Sequence, residues 1–102
     1  MNELERRLLA VLVNLGEGEV VSYGDVADDA GFPGRARAVG RLLATTPIEL
    51  PWWRVVTAAG RLVPGHEAEQ ARLLEAEGVA VRAGTVVAAP AGRFSRSRRN
   101  GS

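Results

Sequence analysis

Two adjacent tryptophans, Trp52 and Trp53, stand between Pro51 and Arg54 in a chain of 102 residues with no cysteine and one histidine. Those residue types narrow the chemistry. Without a thiol there is no disulfide, no thiolate metal ligand and no sulfur nucleophile. His66 has no second histidine to share a metal with, so neither a metal nor a cofactor is expected. An indole is a poor nucleophile, but its face can stack on a nucleobase, worth roughly 1–3 kcal/mol per base. Arginine adds a planar cation whose fork of donors suits phosphates and base edges. The chemistry within reach is recognition.

The charge pattern leaves two readings open. Net charge is +1, and all thirteen basic residues are arginine. Arg35, Arg37, Arg41, Arg54 and Arg61 fall between Gly31 and Pro64 against a single acid, Glu49. The first thirty residues run the other way, with seven acids against Arg6 and Arg7. Such segregation fits a local anion-binding face, and it also fits an ordinary solvated surface. No apolar run approaches the roughly 20 residues that span a bilayer. The charged start does not resemble a signal peptide. A soluble, cytoplasmic monomer is the expectation, with no membrane association.

Short helices and extended segments must position these residues. Leu4, Leu8, Leu9, Val11, Leu12 and Leu15 recur at helical spacing and predict a helix over 2–15, stopped by Gly16 and Gly18. Ser22 and Asp25 form an S-x-x-D capping box at the start of a second short helix, which ends at Gly31. After the Phe32-Pro33-Gly34 turn, a third helix over 35–44 buries Val39, Leu42 and Leu43. Two short helices about such a turn suggest a helix-turn-helix, though many helical hairpins bind nothing. Residues 52–57 read as a strand, 61–63 as a return strand, and 66–77 as a fourth helix closed by Gly78. Residues 79–81 and 85–88 predict a hairpin. The domain is expected over 1–88. From Ala89 onward Pro, Gly, Ser and Arg dominate, so 89–102 reads as a disordered arginine-rich tail.

Four blocks carry a resemblance. Val20-Val21-Ser22-Tyr23-Gly24-Asp25-Val26-Ala27, Ala36-Arg37-Ala38-Val39-Gly40, Pro51-x-x-Arg54-Val55-Val56 and Leu73-Leu74-Glu75-Ala76-Glu77-Gly78 follow one another in the order found in the O6-alkylguanine-DNA alkyltransferases. That family reads Pro-Cys-His-Arg-Val where this chain has Pro51 to Val55, and moves an alkyl group from guanine to the cysteine sulfur. With Trp52 at the cysteine position, the chain resembles the cysteine-free, alkyltransferase-like branch. The fold implied is mostly α with short β segments, a winged helix-turn-helix-like DNA-binding domain. The function implied is non-enzymatic: O6-alkylguanine in double-stranded DNA is bound from the minor groove, the base is flipped out, and the lesion is flagged for the proteins of nucleotide excision repair. A general helix-turn-helix module without lesion specificity is the alternative. The protein would act at the nucleoid.

The resemblance also implies roles. Arg37 matches the finger that fills the gap left by the extruded nucleotide. Tyr23 matches the tyrosine that crowds its phosphate, and Ser22 and its neighbouring amides meet phosphate at a helix N-terminus. Arg35 and Arg41 are expected at phosphates, while Ala36, Ala38 and Gly40 keep the helix low enough to approach the groove. Trp52 would wall the lesion pocket together with Pro51, Trp53 and Arg54, the last anchoring the loop internally. Glu77 matches the family's relay glutamate, but Trp53 replaces the relay histidine. In an extended segment one tryptophan would face the pocket and the other the core; Trp52 is assigned to the pocket. The loop from Val63 to Glu67 falls at the pocket lip.

Overall fold

The computed structural model describes residues 1–95. Arg96, Arg98 and Arg99, expected in the tail, lie outside the described residues. Asn2 opens α1 (Glu3–Val13) with a capping box: its side chain accepts from the Glu5 amide at 2.8 Å, and Glu5 accepts from the Asn2 amide at 3.1 Å. Leu8 and Leu12, one turn apart, are completely buried. Then follow β1 (Glu19–Ser22), α2 (Tyr23–Asp29), α3 (Ala36–Thr45), a 3-10 turn at Trp52–Arg54, β2 (Val55–Val56) and α4 (Glu67–Ala76). The hairpin β3 (Ala80–Arg82) and β4 (Thr85–Ala88) precedes a last short strand, β5 (Ala91–Gly92). Among the described residues four helices with short strands, α2 and α3 forming the helix-turn-helix, give the mostly α, winged helix-turn-helix-like fold.

A small parallel sheet, ordered β2-β1-β5, divides the interior. Because successive strand residues point to opposite faces, Val21 and Val55 enter one core cluster with Leu8, Leu12, Val26 and Val39. Val20 and Val56 enter the other with Leu62, Leu74, Val79 and Val86. Each fully buried side chain of this size contributes roughly 1.5–3 kcal/mol. Strand β1 is thus held on both edges and both faces, and it runs directly into Ser22 and Tyr23. The helix-turn-helix starts from a strand paired on both of its edges.

Three expectations need correction. Residues 52–57 are not one strand: the Arg54 amide donates back to Pro51 O at 3.1 Å, a local bond that closes a turn, and only Val55–Val56 pair with β1. Residues 61–63 form no return strand; Arg61 makes an isolated bridge with Thr85, while the Val63 amide is taken at 2.7 Å by the buried side chain of Gln70. The supposed tail begins as structure. Ala91 and Arg93 donate to Gly18 O at 3.1 Å and Val20 O at 2.9 Å, and Phe94 packs on the second core cluster. Gly92 permits this, since a Cβ there would lie 2.4 Å from Val20 O and its φ is +87°. Arg93 then bridges Ala58 O at 3.2 Å and Asp25 Oδ1 at 3.0 Å, tying the C-terminal segment to the start of α2.

Candidate nucleic-acid interface

The start of α2 is built as expected. The Asp25 amide donates to Ser22 Oγ at 3.0 Å and the Ser22 amide to Asp25 Oδ2 at 2.9 Å. Ser22 is buried, so its hydroxyl serves the cap. Tyr23 follows it and turns its half-buried ring into a cleft of about 470 Å3. Desolvation by burial raises the Tyr23 hydroxyl above its ordinary value of 10.0, so it remains a neutral donor. Trp52, Gly40, Leu43 and Ala44 line the same cleft, with Val63, His66 and Glu69 across from them.

Gly40 has its reason here. A Cβ built on it would meet nothing closer than Tyr23 Cε1 at 4.0 Å. Packing within the protein therefore does not require glycine, and its missing side chain leaves the cleft wall open beside Tyr23. The basic residues occupy a second depression on α3, of about 430 Å3, lined by Arg35, Ala36, Arg37, Ala38 and Arg41. Arg37 is exposed and its side chain makes no hydrogen bond or ion pair among the described residues. The expected DNA-contacting residues thus fall into two groups on neighbouring surfaces, with α3 contributing to both.

The expected pocket residues also divide. Trp52 lines the cleft, whereas Pro51, Trp53 and Arg54 line an adjoining groove of about 730 Å3 to which Trp52 also contributes. Trp52 is a partition between the two. It meets Trp53 edge to face at 6.2 Å and His66 at 5.8 Å. The opposite fates of the tryptophans come from the 3-10 turn and not from strand alternation.

Behind that partition lies a hydrogen-bonded clamp. Trp53 Nε1 donates to Glu77 Oε2 at 2.9 Å, Arg54 Nε to Glu77 Oε1 at 3.0 Å, and Arg54 Nη2 to Glu77 Oε2 at 2.7 Å. The Gly18 amide adds a bond to Glu77 Oε1 at 2.8 Å, and Arg54 Nη1 reaches Leu15 O at 2.8 Å. Both charged side chains are largely shielded, at 15% and 11% exposure. Desolvation disfavours the Glu77 carboxylate, but the bonds from Arg54, Gly18 and Trp53 together with the Arg54 charge outweigh it and lower the carboxyl from 4.5 to about 2. Glu77 is therefore an anion at neutral pH, and the indole N–H does for it what a ring N–H of histidine could do. An indole cannot accept a proton in return, so the arrangement holds shape and relays nothing.

Some residues of the site escaped sequence reading. His66, in the segment expected at the pocket lip, had no role assigned to it; it occupies the α4 N-cap without a side-chain cap bond and packs its ring against Trp52. Glu69, three residues on, shares its helix face, which is the signal that could have found it. Gln70 donates to Trp53 O at 3.1 Å and Val55 O at 3.2 Å, fastening α4 to the turn. A polar residue inside a helix with an apolar stripe gave only a weak hint of that. Among the described residues no cluster of three or more His, Cys, Asp or Glu could hold a metal ion.

The chain is similar to known proteins in sequence and fold. Residues 3–79 match the family model described as the 6-O-methylguanine DNA methyltransferase, DNA binding domain. A DNA base-flipping protein of Vibrio parahaemolyticus is 38% identical over 85 residues, covering 79% of this chain and 85% of that protein. A methylated-DNA–protein-cysteine methyltransferase of Mycobacterium leprae is 40% identical over 63 residues, but those span only 38% of its length and 60% of this chain. Among solved structures, S. pombe Atl1 in complex with damaged DNA containing O6-carboxymethylguanine aligns with a TM-score of 0.70 and 28% identity, over 80% of this chain and 82% of that one. With the family's blocks in place on the matching fold and tryptophan where its cysteine would stand, this chain belongs to the 6-O-methylguanine DNA methyltransferase family, as a cysteine-free form of its DNA-binding domain.

Proposed function

We propose that the protein recognises O6-alkylguanine in duplex DNA without repairing it, by flipping the base into the Trp52–Tyr23 cleft and flagging the lesion for nucleotide excision repair. The carrying observation is the exchange at position 52. Alkyl transfer needs a nucleophile that becomes covalently alkylated. An indole in its place offers a wall on which a flipped base stacks, so a one-turnover reaction becomes reversible binding. The position of Trp52 beside Tyr23, and the names and DNA complexes of the relatives, support this reading.

Arg37 is the residue we assign to the vacated base stack. Extrusion costs a few kcal/mol, less for a damaged pair. An unpaired arginine on the low-profile surface of Ala36 and Ala38 is free to offset that cost. Arg35 and Arg41 would supply sequence-independent phosphate contacts that weaken with salt. The protein would act as a cytoplasmic, nucleoid-associated monomer, with excision-repair proteins as its partners.

The test compares matched duplexes carrying guanine or O6-methylguanine across a salt series. Wild type should prefer the lesion, and Arg37→Ala should abolish the preference while leaving weak, salt-dependent binding. Equal wild-type affinities at every salt concentration would leave only a general helix-turn-helix binder. Protein mass after incubation with alkylated DNA should be unchanged; a stable added methyl group would restore an enzymatic role.

A further inference from the structure

We propose that Glu69 gives the cleft a charge preference, so that it takes O6-alkylguanines with uncharged substituents over those bearing a carboxylate. The inference rests on the lesion-pocket reading and names the class of adduct within it. Of the residues lining the cleft, Glu69 brings the one carboxylate, and no arginine lines it: Tyr23 is held neutral, His66 is the one imidazole, and Gly40, Leu43, Ala44, Trp52 and Val63 carry no ionisable side chain. Glu69 is exposed and its side chain makes no hydrogen bond or ion pair among the described residues. No arginine balances it among the described residues. Arg35, Arg37 and Arg41 line the other depression on α3, Arg54 is bound to Glu77, and Arg72, three residues along α4, lies outside the cleft lining and forms no ion pair with Glu69.

One feature argues the other way. Glu69 lies in the first turn of α4, and a helix N-terminus behaves as roughly half a positive charge that attracts anions. Two carboxylates, Glu67 and Glu69, already occupy that turn, and Glu67 accepts the Gly65 amide at 3.0 Å. Two full negative charges outweigh half a positive one, so the end of α4 is no anion site. Size does not decide, because a cleft of about 470 Å3 has room for a base with a modest substituent. Charge does. At a separation of a few ångströms in water-like surroundings, repulsion between two unit charges amounts to about fivefold in affinity.

The experiment uses four otherwise identical duplexes, containing guanine, O6-methylguanine, O6-carboxymethylguanine or its neutral counterpart O6-carbamoylmethylguanine. Wild type should bind the carbamoylmethyl duplex about fivefold more tightly than the carboxymethyl duplex. Glu69→Gln should close that gap and Glu69→Lys should invert it, with melting temperatures confirming that both variants fold. Equal wild-type affinity for the two adducts, or a gap that survives Glu69→Gln, overturns the proposal. The guanine and O6-methylguanine arms report separately on lesion recognition. Equal binding of those two duplexes would overturn the lesion reading, and this inference with it.

Discussion

Trp52 and Trp53 are consecutive residues whose rings meet at 6.2 Å, yet their surroundings differ in kind. Behind Trp53 the polar groups of Arg54 and Glu77 are engaged by one another, by the indole N–H and by backbone atoms from the loop between α1 and β1. In front of Trp52 lies a cleft whose charged group, Glu69, is unpaired among the described residues. A saturated network is rigid because any displacement leaves a shielded charge without a partner. An open wall is available to a ligand because nothing in the protein competes for it. The clamp therefore holds still the wall on which the flipped base is proposed to stack.

The largest expected effect comes from breaking the clamp. Glu77→Gln keeps the shape but leaves the shielded Arg54 without its anion, and should cost about 3 kcal/mol, lowering the melting temperature by roughly 15 °C. Its pH dependence has a definite sign. The folded carboxyl titrates at about 2 against an ordinary 4.5, so its contribution is fully present above about 4.5 and is lost as the pH falls through about 2. The stability gap between wild type and Glu77→Gln should be widest near neutrality and shrink across that window. Denaturant unfolding at stepped pH measures it, and a pH-independent gap would mean that the charge is not what the clamp uses.

Trp52→Ala sharpens the comparison from the other side. It should weaken lesion binding by roughly 1–3 kcal/mol through lost stacking while changing stability by less than the clamp variant does. Titration and thermal unfolding on one sample give both numbers. A stability loss exceeding that of Glu77→Gln would make Trp52 a core residue and erase the distinction.

The smallest effect is expected at Gly40. Replacing a helical glycine by alanine removes a penalty of about 1 kcal/mol, and the nearest side-chain atom would be 4.0 Å away, so Gly40→Ala should raise stability slightly. Lesion affinity should fall, since the added methyl intrudes on the cleft beside Tyr23. A variant that is more stable and binds equally well would show that the space above Gly40 is unused.

Local signals carried much of this. The S-x-x-D box at Ser22, the apolar spacing of the helices and the Gly/Pro turn led to the helix-turn-helix, because caps and amphipathic faces are written within a few consecutive residues. The order of four motif blocks led to the family. What failed was non-local. The strand over 52–57 failed because a turn and a strand share the same β-rich residues until a hydrogen-bond partner is chosen. The tail from Ala89 failed because its composition is that of a linker, while its ordering depends on Val20 and Gly18 being presented, some seventy residues earlier, as an open strand edge.

The division falls on the two tryptophans. Sequence alone determined that no thiol chemistry is possible and that arginines gather around the third helix, which are facts of residue identity, and its resemblance to the family assigned an indole to the cysteine position. Tertiary structure decided which indole faces the cleft, that Trp53 donates to Glu77 in place of a histidine, and that Glu69 and His66 belong to the wall. Those outcomes depend on bringing residues 18, 53, 54 and 77 within hydrogen-bond reach. Distance in space between residues far apart in the chain is set by the packed core, and no local pattern encodes it.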